Sequence, residues 1–458
     1  MKKILFQILL YTTLTLCQHG GEPIIINGDS LVGKQVNGEN IREVIGNVVL
    51  TQGNVRITCN KATQYLAKND ALLEGNVIAT QDTLTIKTER GFYYGDERIT
   101  ESKSEVTLND RRMTLTALSG EYHFNERIAY FNRHVTLTDE TSTLTSNNLT
   151  YFRQEEKAVA VGYVTIRDSV NIIKADSLVH FRNSKITFAE KNVRIKNQKE
   201  NTVIFGEHLE DYSKKNYSVM TDKPVLVQID TTDSGDIDTL VISSVKMESF
   251  NDSSKKFIAT DSVKIIRGLF ASKNAYSIFY RNEDKIITMK RKPEDNFPVL
   301  WYNLTQLTGD SIAIMLNDNQ LDRIEVYGNG LILSSNADYE TRYDQMSGDM
   351  ITIYFDTSGI NNTEVTGNVL SIYYSYEGTE PNGLIKASSQ KGRIFFEDDK
   401  VNEVKMYSNV LSEYHPENLV TGNELSFALP AFILINDRPL KDDLIWNIIK
   451  KYKVLIND

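Results

Sequence analysis

The sequence predicts an all-β chain, built as a solenoid-like array of repeated strands and closed by one short C-terminal helix. Three observations predict it. The first is a step of twenty-nine residues, which leads from Val48 to Val77, Val106, Val135, Val164 and Val193. Parallel series run from Leu50 through Ala79, Leu108, Leu137 and Ile166 to Ile195, and from Ile57 through Ile86, Leu115 and Leu144 to Ile173. A fourth leads from Gln64 through Tyr93, Tyr122 and Tyr151 to His180. Repeats of this length mark arrays in which each unit buries its apolar face on the next. The second observation is alternation with period two, as in Val48 and Leu50 against Val49 and Thr51, the signature of a half-buried strand. The third is the recurrence of Gly46-Asn47, Gly53-Asn54 and Gly75-Asn76, residues that tolerate positive φ at corners between strands.

In chain order, Met1-Lys2-Lys3 and the apolar run from Ile4 to Leu16 read as an export signal over residues 1–17, too short to span a bilayer. Cleavage after Cys17 and acylation of Cys17 at "LTLC" are both open to it. Leu16 stands where lipoboxes carry Gly, Ala or Ser, which favours cleavage. "EPIIINGDSL" supplies a first capping strand, and residues 18–225 hold the regular repeat. Some corners lack glycine, with Ser104-Glu105, Arg133-His134 and Lys191-Asn192 in its place. Over residues 226–439 the beat lengthens to 32–41 residues, through "TDSVKII", "FPVLWY", "GNGLILS", "GNVLSIYYS" and "SNVLSEY". A second signal, "TGDSIAIML" at Gly309 and "SGDMITIYF" at Gly348, precedes the next corner by one hairpin. Residues 440–458 hold the helix, whose Leu444, Ile445, Ile448 and Ile449 suit a cap over the last coil.

With 51 basic and 61 acidic residues the formal charge is −10, which argues against a nucleic-acid-binding face. Two cysteines exclude a disulfide framework and a Cys-based metal site. The six histidines show no metal-ligand spacing, and no nucleophile elbow, P-loop or dinucleotide turn is present. Asp230, Asp233, Asp236 and Asp238 could hold calcium, but lack the order of a calcium loop and read as a solvated turn. Cys59, on the apolar-alternating face, reads as an inert buried thiol. No catalytic residue, metal or cofactor is expected.

The apolar ladders remain. They describe either a closed core or a sheet curled around an apolar trough, and interruptions such as Ala79, Ser142 and Asn171 suit the second account.

Here the residues resemble a family. An export signal followed by "VIGNVVLTQGNVRITCNKATQYL" (45–66), "LLEGNVIATQDTLTIKTE" (72–89), "IIKADSLVHF" (172–181), "LTGDSIAIML" (307–316) and "VTGNVLSIYY" (365–374) is similar to the OstA/LptA-like lipopolysaccharide-transport proteins. The resemblance runs from about residue 25 to 430. It implies an open β-jellyroll whose apolar interior takes lipopolysaccharide acyl chains in the periplasm, peripheral to the outer membrane. It further implies edge-strand pairing with other jellyrolls of that system, or head-to-tail self-association. The groove-lining set is then Val48, Leu50, Ile57, Val77, Ile86, Val106, Leu108, Leu115, Val135, Leu137, Leu144, Val164, Ile166, Ile173 and Val193. The expectation is a non-enzymatic lipopolysaccharide carrier. The alternative is a closed β-solenoid that binds protein or carbohydrate on its outer face. A carbohydrate-active enzyme comes last, because no in-register pair of carboxylates recurs.

Overall fold

The computed structural model describes residues 22–199, 201–231, 237–281, 283–290, 292–317, 320–336, 339–356, 359–397 and 400–452. The export signal with Cys17, the acidic-turn residues Asp233 and Asp236, and the last six residues lie outside them. The described chain is almost wholly antiparallel strand, from Ile25–Asn27 to Leu411–His415, followed by the helix Lys441–Tyr452. Contacts divide it into two units, one of residues 1–140 with 150–153 and one of 141–149 with 154–458.

In the first unit successive strands pair in hairpins, and the two series of twenty-nine interleave as one cross-strand row. Leu50 stands opposite Ile57, and the row continues through Ala79, Ile86, Leu108 and Leu115 to Leu137. Each hairpin thus contributes two neighbours to one buried line, the unit of sheet stabilisation. One residue away, the outward row reads Thr51, Arg56, Thr80, Thr85, Asn109, Thr114 and Thr138, polar throughout. Tyr93 and Tyr122 stand opposite Ala71 or Thr100 and Thr100 or Ala129, so a large ring has a small neighbour on each side.

The corners explain the glycines. Glu39–Gln52 breaks register between Ile45 and Val48, where Gly46 and Asn47 have φ of 80° and 44°. Two successive left-handed residues make a bulge that bends the strand. Arg133-His134 and Lys191-Asn192 take the same conformation without glycine, with φ of 65°, 51°, 61° and 51°. Ser104-Glu105 does not; there the strand simply breaks between Ile99–Ser102 and Val106–Asp110, and hydroxyls of Thr88, Ser102 and Ser104 knit the gap.

In the second unit an inward row runs through Ile166, Ile173, Ile195, Ile204, Leu226, Ile242 and Ile265, then Ser272, Leu300, Leu307, Ile332 and Met346. Here the outward row is apolar but for two glutamines, reading Val203, Val227, Val241, Ile266, Ala271, Trp301, then Gln306, Leu333, Gln345 and Ile372. The C-terminal segment covers that face, running back along it. Val420 and Leu429 pack on Leu331, Leu333, Ile372 and Tyr374. Ile435 and Leu444 pack on Ile266, Ala271, Val299 and Trp301. Ile448 is buried against Val203, Phe205 and Val227. The helix therefore does not cap the last coil. It sits on strands some two hundred residues earlier, because only there does the outer face offer an apolar surface for its apolar stripe.

Three buried polar side chains, Gln306, Gln345 and Arg342, anchor this strap, and the strap's own half-buried Arg438 adds a fourth hold. Gln306 donates to Ile433 O at 2.8 Å and accepts from Ile435 N–H at 2.9 Å, and Gln345 accepts from Leu429 N–H at 2.9 Å. Arg342, stacked on Tyr339 and Tyr374, pairs with Glu417 at 2.5 Å. Arg438 donates to Asn303 O and Leu269 O at 2.8 and 2.6 Å.

Candidate functional site

Of the fifteen residues expected to line a groove, fourteen are buried, and Leu50, Ile57, Leu108 and Leu115 are wholly inaccessible. Ile173 is half-buried. In the first unit these residues form a sealed interior, and the seal has a repeating construction. Gln52 closes one strand; its amide donates to Gly95 O, beyond the far end of Leu84–Tyr94, at 2.9 Å, and to Glu22 O at 2.6 Å. An eleven-residue strand drawn straight would separate its ends by about 36 Å. Its two ends meet different rims of one interior because the corner folds each strand back on itself.

Tyr93 OH donates to Gln52 Oε1, and Arg98 donates to Asn54 Oδ1 at 2.7 Å. Twenty-nine residues on, Gln81 donates to Phe124 O at 3.1 Å, Tyr122 OH donates to Gln81 Oε1 at 3.4 Å, and Arg127 pairs with Asp82 at 3.2 Å. In the next repeat Arg153 pairs with Asp110 at 3.4 Å and donates to Thr83 Oγ1 at 2.9 Å. Burial pushes the Tyr93 and Tyr122 hydroxyls up to about 12, so both remain protonated donors. Among the described residues these bridges are all made by side chains, and no strand ladder crosses the seam.

The tyrosine column was legible as a series of twenty-nine. Its partners, Gln52, Gln81 and Asp110, repeat at the same step but lie 41–43 residues from Tyr93, Tyr122 and Arg153, so no local pattern joins them.

In the second unit the interior reaches solvent. Ile166 and Ile173 line a cavity of about 350 Å³, together with Ser142, Asn171, His180 and Lys185. Asn171 is thus half-buried beside the mouth, its N–H bonded to Asp168 Oδ1 at 2.6 Å, and breaks no core. His180 bonds Thr187 through Nδ1 at 3.0 Å. Lys185 donates to Thr141 Oγ1 at 3.2 Å across this mouth.

Other candidates behave as ordinary structure. The Cys59 thiol contacts Lys61 O at 3.2 Å, and burial pushes it up to about 11, far from a reactive thiolate. Asp238 pairs with Arg267 at 2.5 Å. Among the described residues no group of three or more His, Cys, Asp or Glu is placed to hold a metal ion.

Comparison with known proteins bears on the first unit and the start of the second. Residues 23–168 match the family of OstA-like proteins. They are an OstA-like region. The OstA-like region carries the sealed interior, its seam, and Ile166 at the mouth. Among solved structures, LptH, described as the LptA-homologous periplasmic component of the lipopolysaccharide transport device of Pseudomonas aeruginosa, is 18% identical. The alignment covers 31% of this chain and 83% of LptH, with a TM-score of 0.16. No curated protein matches.

Proposed function

We propose that this chain is a non-enzymatic carrier of lipopolysaccharide in the cell envelope, exported by its N-terminal signal to the periplasm and working at the outer membrane. One observation carries the reading: the OstA-like region holds a line of buried apolar side chains, and at Ile166 and Ile173 that kind of line meets an accessible cavity. Acyl chains need apolar burial and no reacting group, which such an interior supplies.

The remaining groove-lining residues would take acyl chains only when the seam parts. Side-chain bridges can be exchanged for water one at a time, unlike a strand ladder, and the bridging groups are polar enough to be solvated when apart. The terminal strands suit partners of the same architecture. Ser30–Val36 is exposed along its length, with Leu31 and Val32 outward, and pairs on one side with Glu39–Ile45. Among the described residues Lys400–Tyr407 and Leu411–His415 likewise pair only with Glu380–Glu397. Unpaired edges invite strand addition, either by another jellyroll or by a second copy.

The test is native mass spectrometry of the mature protein purified from its own envelope, with the lipid identified after extraction. Leu115 and Leu144 are buried too deeply to carry a charge without unfolding the unit, so the informative variant is Ile173→Asp. A lipid A-sized adduct that disappears in folded Ile173→Asp supports the carrier. A clean apo mass that also refuses added lipopolysaccharide refutes it. The sealed seam favours, as the second reading, a closed β-solenoid that binds protein or carbohydrate on its outer face, and that result would select it.

A further inference from the structure

Far beyond the OstA-like region, the second unit holds a larger cavity, of about 670 Å³, within the range of small-molecule sites. Its walls are Leu240, Phe270, Ile286, Tyr302, Leu316 and Phe355. Each of these is only partly buried, although each packs against one or both of the two main core clusters of this unit. Large apolar side chains stop short of one another here and leave a space. Neither core cluster fills it, and Tyr302 and Phe355 meet only edge to face at 5.0 Å.

The mouth is charged. Arg267 is neutralised by Asp238 at 2.5 Å. Arg281 donates only to the neutral Ser249 and Asn251, at 3.3 and 3.0 Å. Among the described residues neither Arg281 nor Lys285 has a carboxylate within ion-pair distance. Asp284 and Asp356 complete the rim, and Lys285 also acts on the Glu325 carboxylate, so the rim offers two cations that no acid holds in a direct ion pair among the described residues.

We propose that this cavity is a second lipid site, which takes the acyl chain of an anionic amphiphile and holds its headgroup at Arg281 and Lys285. Apolar walls accept the chain, and the two cations compensate a carboxylate or phosphate at its head. A wholly apolar occupant would leave those charges idle, and a polar one would leave six apolar side chains against water. The site goes beyond the carrier reading, since it lies in other residues and requires no lipopolysaccharide.

The experiment uses cis-parinaric acid, a fluorescent fatty acid, with the full mature chain. Saturable binding is expected, at least tenfold weaker in Phe270→Glu. In Arg281→Glu combined with Lys285→Glu, both surface changes that leave the walls intact, parinaric acid binds at least tenfold more weakly while its methyl ester binds as before. Phosphatidylglycerol vesicles and lipid A are then compared as competitors; displacement by phosphatidylglycerol is the expected result. Displacement by neither, as an occupying peptide segment would give, overturns the site. So does unchanged binding in the double charge variant, or loss of binding in Ile173→Asp instead, which would place the ligand in the smaller cavity and leave the carrier reading standing. A protein that binds lipid A at Ile173 but no parinaric acid likewise refutes this site alone.

Discussion

Asn329 donates from its side-chain amide to the Asp310 carboxylate at 3.0 Å, while the Asp310 N–H donates to Gly328 O at 2.9 Å. The two motifs of the second unit, "TGDSI" and "GNG", are therefore two halves of one device. The aspartate on one strand caps the left-handed corner of the next. Asp349 with Asn368 at 3.1 Å, Asp176 with Asn192 at 2.8 Å, and Asp29 with Asn47 at 3.0 Å repeat it. Removing the acceptor as Asp310→Ala is expected to cost about 1–2 kcal/mol. Urea unfolding checks it, and a double-mutant cycle with Asn329→Gly, which keeps the backbone conformation available, should show coupling between the pair.

The seam yields a second prediction. Tyr93→Phe keeps the ring among its small neighbours and removes only the hydroxyl that meets Gln52. Stability is expected to fall by about 1 kcal/mol, and amide exchange to quicken at residues 53–54 and 95–98 relative to the interior row. If lipid enters through the seam, lipopolysaccharide uptake by stopped-flow should also be faster than in the parent. A variant that exchanges faster yet loads at the parent rate would show that the seam is a brace and not a door.

Asp344 gives a pH dependence. Enclosure beside Ile332, Met346 and Ile394 pushes its carboxyl up to about 7, although Tyr374 N–H donates to it at 2.9 Å. The unfolded chain releases this proton near pH 4, and the folded chain holds it until about 7. Stability contributed by this group is therefore full below pH 4, falls as pH rises through 4–7, and is flat above. Asp344→Asn keeps the acceptor for Tyr374 and is expected to stabilise the protein at pH 8 by on the order of 2 kcal/mol. Thermal melts at pH 5 and pH 8 should then differ less for the variant than for the parent.

A fourth prediction concerns the strap. Ile448→Asp places a charge against Val203, Phe205 and Val227, and should release the helix without disturbing the inward row. Limited proteolysis should then cut between residues 438 and 450, and dye binding to exposed apolar surface should rise. Resistance equal to the parent would contradict the strap's anchoring.

The repeat, the strands and most corners were legible because each is a local pattern seen many times. Leu50 and Ile57 share a row because hairpin pairing puts them opposite each other, and twenty-nine residues bring the chain back to the same line. The strap was not legible. Residues 428–440 have no period of their own, and their apolar side chains make sense only against Ile266, Trp301 and Leu333, which the alternation assigns to the outside. The helix was visible but not its seat, since an amphipathic stripe states that a partner exists without saying where. The larger cavity lay hidden for a similar reason: nothing local marks Phe270 and Phe355 as the walls of one space.

The strap also sets an order of events. Among the described residues its last buried side chain, Ile448, belongs beside strands made more than two hundred residues earlier, so a chain that stops short of it leaves that face open. Until that segment is made, Phe205, Val227 and Trp301 stand bare, and a chaperone has a surface to hold. Residues 420–448 thereby couple the covering of that face to the last stage of the strap's own synthesis.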